Sequence, residues 1–377
     1  MKKKIVYLTG TRADFGKQKS LIRVTDSSEL FDTFIWVTGM HLNEKYGYTV
    51  DEIYRSNFNN ENIFTFINHS DFDTMDLILA KTIEGFSSFI KKIKPDLIVV
   101  HGDRVEALAG AIVGSLNNVL VAHIEGGELS GTIDDLIRHA VSKMSHLHFV
   151  SNKAAHDRLL QLGEKKESVF LIGSPDIDVM ESGELPLIHD VKDHYKINFD
   201  AYAILLFHPV TTEYDHIKSQ VQNLVDAIIG SNDNFVIISP NNDHGAEFIF
   251  SEYKRFEKNY RFRIFPSLRF EYFLILLKHA SYIIGNSSAS IREAPYYGVP
   301  TINIGSRQYQ RTQNKQIIDC SHDKKDILDS IRIAASMKIV PEKNFGDGNS
   351  FQRYYNILQS NSFWETSQQK IFTEQNR

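Results

Sequence analysis

Residues 119–135 read VLVAHIEGGELSGTIDD. The apolar run VLVA lacks the alternation of a half-exposed strand, so it predicts a strand covered on both faces, and the polar residues that follow predict a turn into a helix. That is one strand–loop–helix unit of a parallel sheet. Working outward, the same rhythm recurs as KIVYL, TFIWVT, DLIVV, HLHFV and SVFLI, and then as YAILLF, NFVIIS, RFRIF, SYIIG and PTINI. Between the runs, Leu79, Ile83, Phe86, Ile90 and Ile93 recur at spacings of four and three within residues 75–93, the stripe of a helix lying on a sheet. The fold class is α/β with parallel sheets.

A chain of 377 residues exceeds one typical core and suits two domains. Prolines, glycines and charges cluster at residues 173–200, and the boundary is expected there, with a first domain over 1–178 and a second over 179–357. Near the C-terminus Tyr354, Ile357 and Leu358 offer an apolar edge, and a helix over 358–377 is expected to complete the first domain. The two series of βα units suggest two Rossmann-like halves facing each other.

A formal net charge of -5 argues against nucleic acid as a partner. The one cysteine, Cys320, cannot form an intramolecular disulfide or by itself anchor zinc, which points to a reducing compartment, the cytoplasm. The apolar start IVYL is too short for a signal-peptide core, and FEYFLILLKHASYIIG is broken by Glu271, Lys278 and His279, so no membrane span is expected.

In open α/β sheets ligands bind beyond the carboxyl ends of the strands. The polar clusters of this chain occupy such positions, which places the expected site in a cleft between two sheets. GTRADFGK, residues 10–17, is not a phosphate-binding P-loop, because five residues separate Gly10 from Gly16 and Gln18 stands where a hydroxyl would hold magnesium. Arg12 could still reach a phosphate, or pair with Asp14 or Glu125 across the turn. In GNSSASIREA, Asn286, Ser287 and Ser288 precede a helical run whose amides and dipole would favour a diphosphate, and Glu293 further along could accept both hydroxyls of a ribose. In HGDR, residues 101–104, Asp103 by itself reads as the cap of the helix beginning near Val105. His208 in HPVTTE could merely end a strand. His146 and His148 share a strand face without a third ligand, so they read as a packed pair rather than a metal site. A divalent cation held by Asp103, Glu125 and Asp134 is a minority reading.

Taken together, GTRADFGK, VTGMH, HGDR.EALAGA, HIEGGELSGTIDD.IRH.VSK.SH, GSPDIDVM, HPVTTE, PNND and GNSSASIREAP.YGVP.INIG.RQ resemble the hydrolysing UDP-N-acetylglucosamine 2-epimerases, which make N-acetylmannosamine for the sialic acids of capsule and surface polysaccharide. The likeness implies a GT-B fold, two Rossmann-like domains around a nucleotide-sugar, and a homodimer. The non-hydrolysing branch usually reads GTRPE and HGDT where this chain has Thr11-Arg12-Ala13-Asp14 and Asp103-Arg104, which favours the hydrolysing branch.

The implied reaction explains the carboxylates. Departure of UDP from C1 acidifies C2, so anti elimination to 2-acetamidoglucal becomes accessible, and water then adds with C2 protonated on the opposite face. The scheme needs a base, an acid and negative charge near the developing cation. The resemblance assigns these to Asp103, Glu125 and Asp134, with crowding expected to divide them into acids and bases. It gives Arg138 the orienting of that cluster or of the sugar. It places Arg12, Arg104, His208, Ser287 and Ser288 at the diphosphate, with His208 also among the catalytic groups, Lys17 among the substrate- and UDP-binding residues, Glu293 at the ribose, and Asn241 and Arg307 in the nucleotide pocket. Glu128 and Asp135 are expected to be solvated. No metal or redox cofactor is needed. Two other readings share the nucleotide pocket: a GT-B glycosyltransferase and a sensor that binds without turnover. A UDP-2,4-diacetamido-trideoxy sugar is the alternative epimerase substrate.

Overall fold

The computed structural model of the chain describes residues 2–70, 73–308, 311 and 314–374. It divides into two units, one comprising Met1–Glu128, Asp134–Gly183 and Asn344–Arg377, the other Leu129–Ile133 and Glu184–Lys343.

The first unit holds a parallel sheet of β1 (Lys3–Thr9), β2 (Phe31–Val37), β3 (Ile63–Thr65), β4 (Leu97–His101), β5 (Leu120–Ile124), β6 (Leu147–Val150) and β7 (Val169–Leu171). Their order is β3-β2-β1-β4-β5-β6-β7. All residues of β4, β5 and β6 are buried, as runs without alternation require of a sheet covered on both faces. The second unit holds β8 (Ala203–Leu206), β9 (Phe235–Ile238), β10 (Phe262–Phe265), β11 (Ile283–Gly285), β12 (Thr301–Ile304) and β13 (Ile317–Cys320), ordered β10-β9-β8-β11-β12-β13. Each unit is thus Rossmann-like, and the fold class read from the sequence is observed.

The strand order reverses beside β1 and β4 in the first sheet and beside β8 and β11 in the second. Such switch points are where neighbouring loops diverge and leave room for a ligand. Close approach at the second depends on Gly285, whose φ is +140° and whose added Cβ would collide with the Leu206 carbonyl oxygen.

Three expectations are corrected. Strands β3 and β13 have no counterpart in the sequence reading; β3 is three residues long, and three of the four residues of β13 are partly or fully exposed. The helix Met75–Ile93 forms as expected, but its buried stripe is Ile78, Thr82, Phe86, Phe89 and Ile90, rotated from the Leu79–Ile93 register. No continuous helix runs from 358: helices Ser350–Leu358 and Asn361–Trp364 are followed by irregular chain to residue 374, and residues 375–377 lie outside the described residues. The edge Tyr354–Leu358 packs into the first unit's core, with the Tyr354 hydroxyl 3.0 Å from that of Tyr7 and its ring edge-on to Phe149 at 4.8 Å. Asp178 fastens this helix by accepting from the backbone amides of Ser350 at 2.8 Å and Phe351 at 2.9 Å. Among the described residues no helix is long and apolar enough to cross a membrane.

Candidate active site

In the first unit the parallel register sets His101, the last residue of β4, opposite Ile124, so the next residue, Glu125, leaves β5 beside it. Glu125 is 3% exposed and has φ +62°, a left-handed backbone that a residue with a Cβ adopts only at a cost of about 1–2 kcal/mol. Two bonds hold it there: its amide donates to Phe149 O at 2.9 Å, and Arg138 donates to its carbonyl at 2.8 Å. The strain aims the side chain at a group drawn from four elements. Oε1 accepts from the Ser174 hydroxyl at 2.6 Å, and Oε2 lies 3.3 Å from His101 Nε2 and 3.9 Å from Lys17 Nζ. Lys17 Nζ is also 3.5 Å from Asp176, whose side chain is wholly buried. An ammonium shared by two buried carboxylates offsets the desolvation that either would suffer alone.

Arg138, 2% exposed on the helix Ile133–Met144, joins this group to the next. One arm of its planar fork takes the Glu125 carbonyl and the other takes Asp103 Oδ2. Asp103 therefore does not cap the following helix: its N-cap is Arg104, with no side-chain cap bond, and Arg104 Nε donates to Glu106 at 3.3 Å. Asp134 lies one turn before Arg138, so both occupy one face of their helix, and Asp134 is partly exposed. Among the described residues no group of three or more His, Cys, Asp or Glu is arranged to hold a metal ion.

Arg12 Nε lies 2.8 Å from Glu52. Asp14 forms a capping box with Thr11, and burial raises its pKa against the lowering effect of bonds from Thr9 and Gly10. Lys17, expected among the substrate- and UDP-binding residues, lies beside Glu125 and Asp176. Glu128, expected to be solvated, is 4% exposed and accepts from Ser151 at 2.6 Å; Asp135 is partly exposed and faces His139 at 3.5 Å. His146 and His148 bind different partners, Val121 N and Glu164. Ser174, Asp176 and His101 were given no site role by sequence reasoning, although GSPDIDVM and HGDR stood among the motifs of the resemblance; the fold brings Ser174 and His101 to Glu125.

In the second unit Asn286 ties the two central strand ends together. Its side-chain oxygen accepts from His208 N at 2.7 Å and its amide donates to His208 O at 2.9 Å. His208 Nδ1 accepts from the Asn241 amide at 3.1 Å, which fixes the neutral ring with its hydrogen on Nε2. Arg307 and Gln308 donate to the Asn286 carbonyl at 3.2 Å and 2.8 Å. The helix expected after Ser288 is a single 3-10 turn, Ser288–Ser290, capped by Ser287; Glu293 then opens a separate helix of five residues, Glu293–Tyr297, and is 2% exposed. A dipole of that length adds little, so the anion reading rests on hydroxyls and amides, with Ser288 partly exposed. Buried Arg292, 1% exposed, is a further residue the sequence reading passed over.

The chain resembles known proteins in sequence and in fold. The chain is 44% identical to a UDP-N-acetylglucosamine 2-epimerase of Neisseria meningitidis over 99% of its length and 100% of that protein's. It is 34% identical to a UDP-N,N'-diacetylbacillosamine 2-epimerase (hydrolyzing) of Legionella pneumophila, over 96% of each. The crystal structure of a UDP-GlcNAc 2-epimerase from Methanocaldococcus jannaschii, in complex with UDP-GlcNAc and UDP, superposes with a TM-score of 0.82 at 23% identity, covering 94% of this chain and 99% of that one, a likeness of fold. The family model described as UDP-N-acetylglucosamine 2-epimerase matches residues 23–359, and the chain belongs to that family.

Proposed function

We propose that this protein is a hydrolysing 2-epimerase that converts UDP-N-acetylglucosamine and water to N-acetylmannosamine and UDP. The observation that supports the reading is Arg138, which donates to the Asp103 carboxylate with one arm and to the Glu125 backbone carbonyl with the other, tying together the ends of two adjacent strands. The reaction needs such a pair. As the C1–O bond breaks, its electrons go to the diphosphate and the C2 proton goes to a base, giving 2-acetamidoglucal; water then adds its hydroxyl at C1, and an acid delivers a proton to C2 on the opposite face.

Asp103, Glu125 and Asp134 are the acid/base groups, with Ser174 bonded to Glu125 and His101 beside it. His208, through its Nε2 hydrogen, and the Ser287–Ser288 hydroxyls neutralise the leaving diphosphate, with Arg12, Arg104 and Arg307 adding positive charge. Glu293 receives the ribose, and Asn241 positions His208. We place the enzyme in the cytoplasm as a homodimer, acting without cofactor.

Incubation with UDP-N-acetylglucosamine alone in heavy water tests the proposal. Release of UDP and of free N-acetylmannosamine deuterated at C2 is expected; binding without UDP release would sink it, and release only with an added acceptor sugar would favour glycosyl transfer. The Legionella pneumophila relative makes the diacetamido sugar the second reading. Comparing kcat/KM on the two nucleotide-sugars separates them, with the N-acetylglucosamine substrate expected to be preferred.

A further inference from the structure

The helix Ile133–Met144 carries Asp134 and Arg138 near its start, and its last turn is finished from outside. A helix leaves its final carbonyls without intrahelical donors. Here Lys370, from the irregular chain after Trp364, donates to Ser142 O at 2.9 Å and to Ser145 O at 2.5 Å, while its ammonium lies 2.7 Å from Glu164. A cation on a helix C-terminus is favourable both as donor and against the dipole.

The Ser142 residue that Lys370 seats leads back to the reacting groups. The Ser142 hydroxyl lies 3.0 Å from His123 Nδ1, and His123 Nε2 lies 2.8 Å from Gly102 O. Only Nε2–H can donate to a carbonyl, so Nδ1 accepts from the serine and one neutral tautomer is fixed. Burial holds the His123 pKa well below its ordinary value, which keeps that tautomer across the physiological range. Gly102 immediately precedes Asp103. A continuous line of polar contacts therefore runs Lys370, Ser142, His123, Gly102, and ends at a carboxylate assigned to the reaction.

The segment around Lys370 has few other attachments. His146 Nε2 meets Gln368 O at 3.1 Å, Thr373 N donates to Gly163 O at 3.0 Å, and Lys143 lies over the Phe372 ring at 5.0 Å. Beside it lies a cavity of about 830 Å³ lined by His146, Glu164, Ser168, Asn356 and Lys370 among others.

We propose that Lys370 is a positioning residue: by seating the last turn of the helix Ile133–Met144 it sets, through Ser142 and His123, the placement of Asp103 and Arg138. This rests on the acid/base reading given above. The charged and titratable groups facing Lys370 are Glu164, Lys143, His146 and His148. Burial lowers the Lys370 pKa to about 8, against the raising effect of Glu164, so its charge is lost in the mildly alkaline range.

In Lys370→Met, kcat should fall about tenfold, the scale of a small misplacement of reacting groups, with KM within a factor of about two. Amide exchange in residues 133–144 should quicken. Lys370→Arg should retain most of kcat and carry the alkaline fall in kcat to higher pH, because arginine stays charged. Wild-type kcat in Lys370→Met, or identical alkaline limbs in wild type and Lys370→Arg, would overturn the inference. The Arg variant decides the matter where the Met variant does not fold. Exchange is read without substrate, so failure there is distinct from failure of the epimerase reading, which the heavy-water experiment tests on wild type.

Discussion

His101 Nε2 lies 3.3 Å from Glu125 Oε2, in ion-pair range but not aligned as a hydrogen bond, so that buried nitrogen has no hydrogen-bond partner among the described residues. A buried polar nitrogen in that state costs about 1–3 kcal/mol unless something else satisfies it. The register of β4 on β5 sets the two residues side by side, and the bonds of the Glu125 backbone to Phe149 and Arg138 hold its side chain there.

The carboxylates should therefore be needed for turnover more than for binding. Glu125→Gln, Asp103→Asn and Asp134→Asn should each lower kcat by more than about tenfold, the usual contribution of a general acid or base, with UDP affinity within about threefold. UDP release and calorimetric titration with UDP check both halves. If all three variants turn over near the wild-type rate, the acid/base assignment is wrong.

Lys17 should matter for stability as well as for activity. Lys17→Met leaves Glu125 and Asp176 buried without their shared cation, and removing one partner of a buried pair costs about 3–5 kcal/mol. Lys17→Met/Asp176→Asn should recover part of that loss, because one of the uncompensated charges is gone. Urea unfolding of the two single variants and the double variant measures the coupling; strictly additive losses would mean that the pair does not interact.

Much of this was legible in the sequence because it is local. The run VLVA and the polar residues after it placed Glu125 at a strand end, and HGDR placed Asp103 at the neighbouring one. What could not be read are the partners that close those groups, because they lie far along the chain. Ser174 is 49 residues from Glu125, and the Asp103–Arg138 pair spans 35. Local pattern made Asp103 a cap and Glu128 a solvated acid; tertiary pairing with Arg138 and Ser151 overrode both. Ser288 and Glu293 fit a helix by spacing, and the kink between the 3-10 turn and the short helix leaves no trace in hydrophobic periodicity.

On the nucleotide side, two substitutions should separate contact from scaffold. Ser288→Ala removes one partly exposed hydroxyl and should weaken UDP binding by about 1 kcal/mol, roughly fivefold, with unchanged melting temperature. Asn286→Ala removes both bonds to the His208 backbone, so it should lower the melting temperature by several degrees and weaken UDP more strongly. Thermal unfolding with and without UDP distinguishes them. Equal effects of the two on stability would contradict the assignment of Asn286 as the tie between strand ends.

Acid should destabilise the fold well above the range where carboxylates titrate. His41 is wholly buried between the hydroxyls of Thr9, at 3.0 Å, and Thr49, at 2.7 Å, and burial lowers its pKa from 6.5 to about 3. Below pH 6.5 the unfolded chain takes up a proton there that the folded chain refuses until about pH 3. The stabilisation is therefore complete above 6.5 and erodes by about 1.4 kcal/mol per pH unit for each such group as pH falls. His123 and His148 are displaced in the same direction by burial and add to the slope. Glu164, lowered to about 2 by its bonds to His148 and Lys370 despite burial, contributes stability that is lost only as pH falls below its ordinary 4.5. Urea unfolding between pH 7 and 5 should show a slope of more than one proton. His41→Gln should lower that slope by about one proton, whatever its effect on absolute stability. A wild-type stability flat across that range, or a slope untouched by His41→Gln, would mean that the buried imidazoles are not what limits the fold in acid.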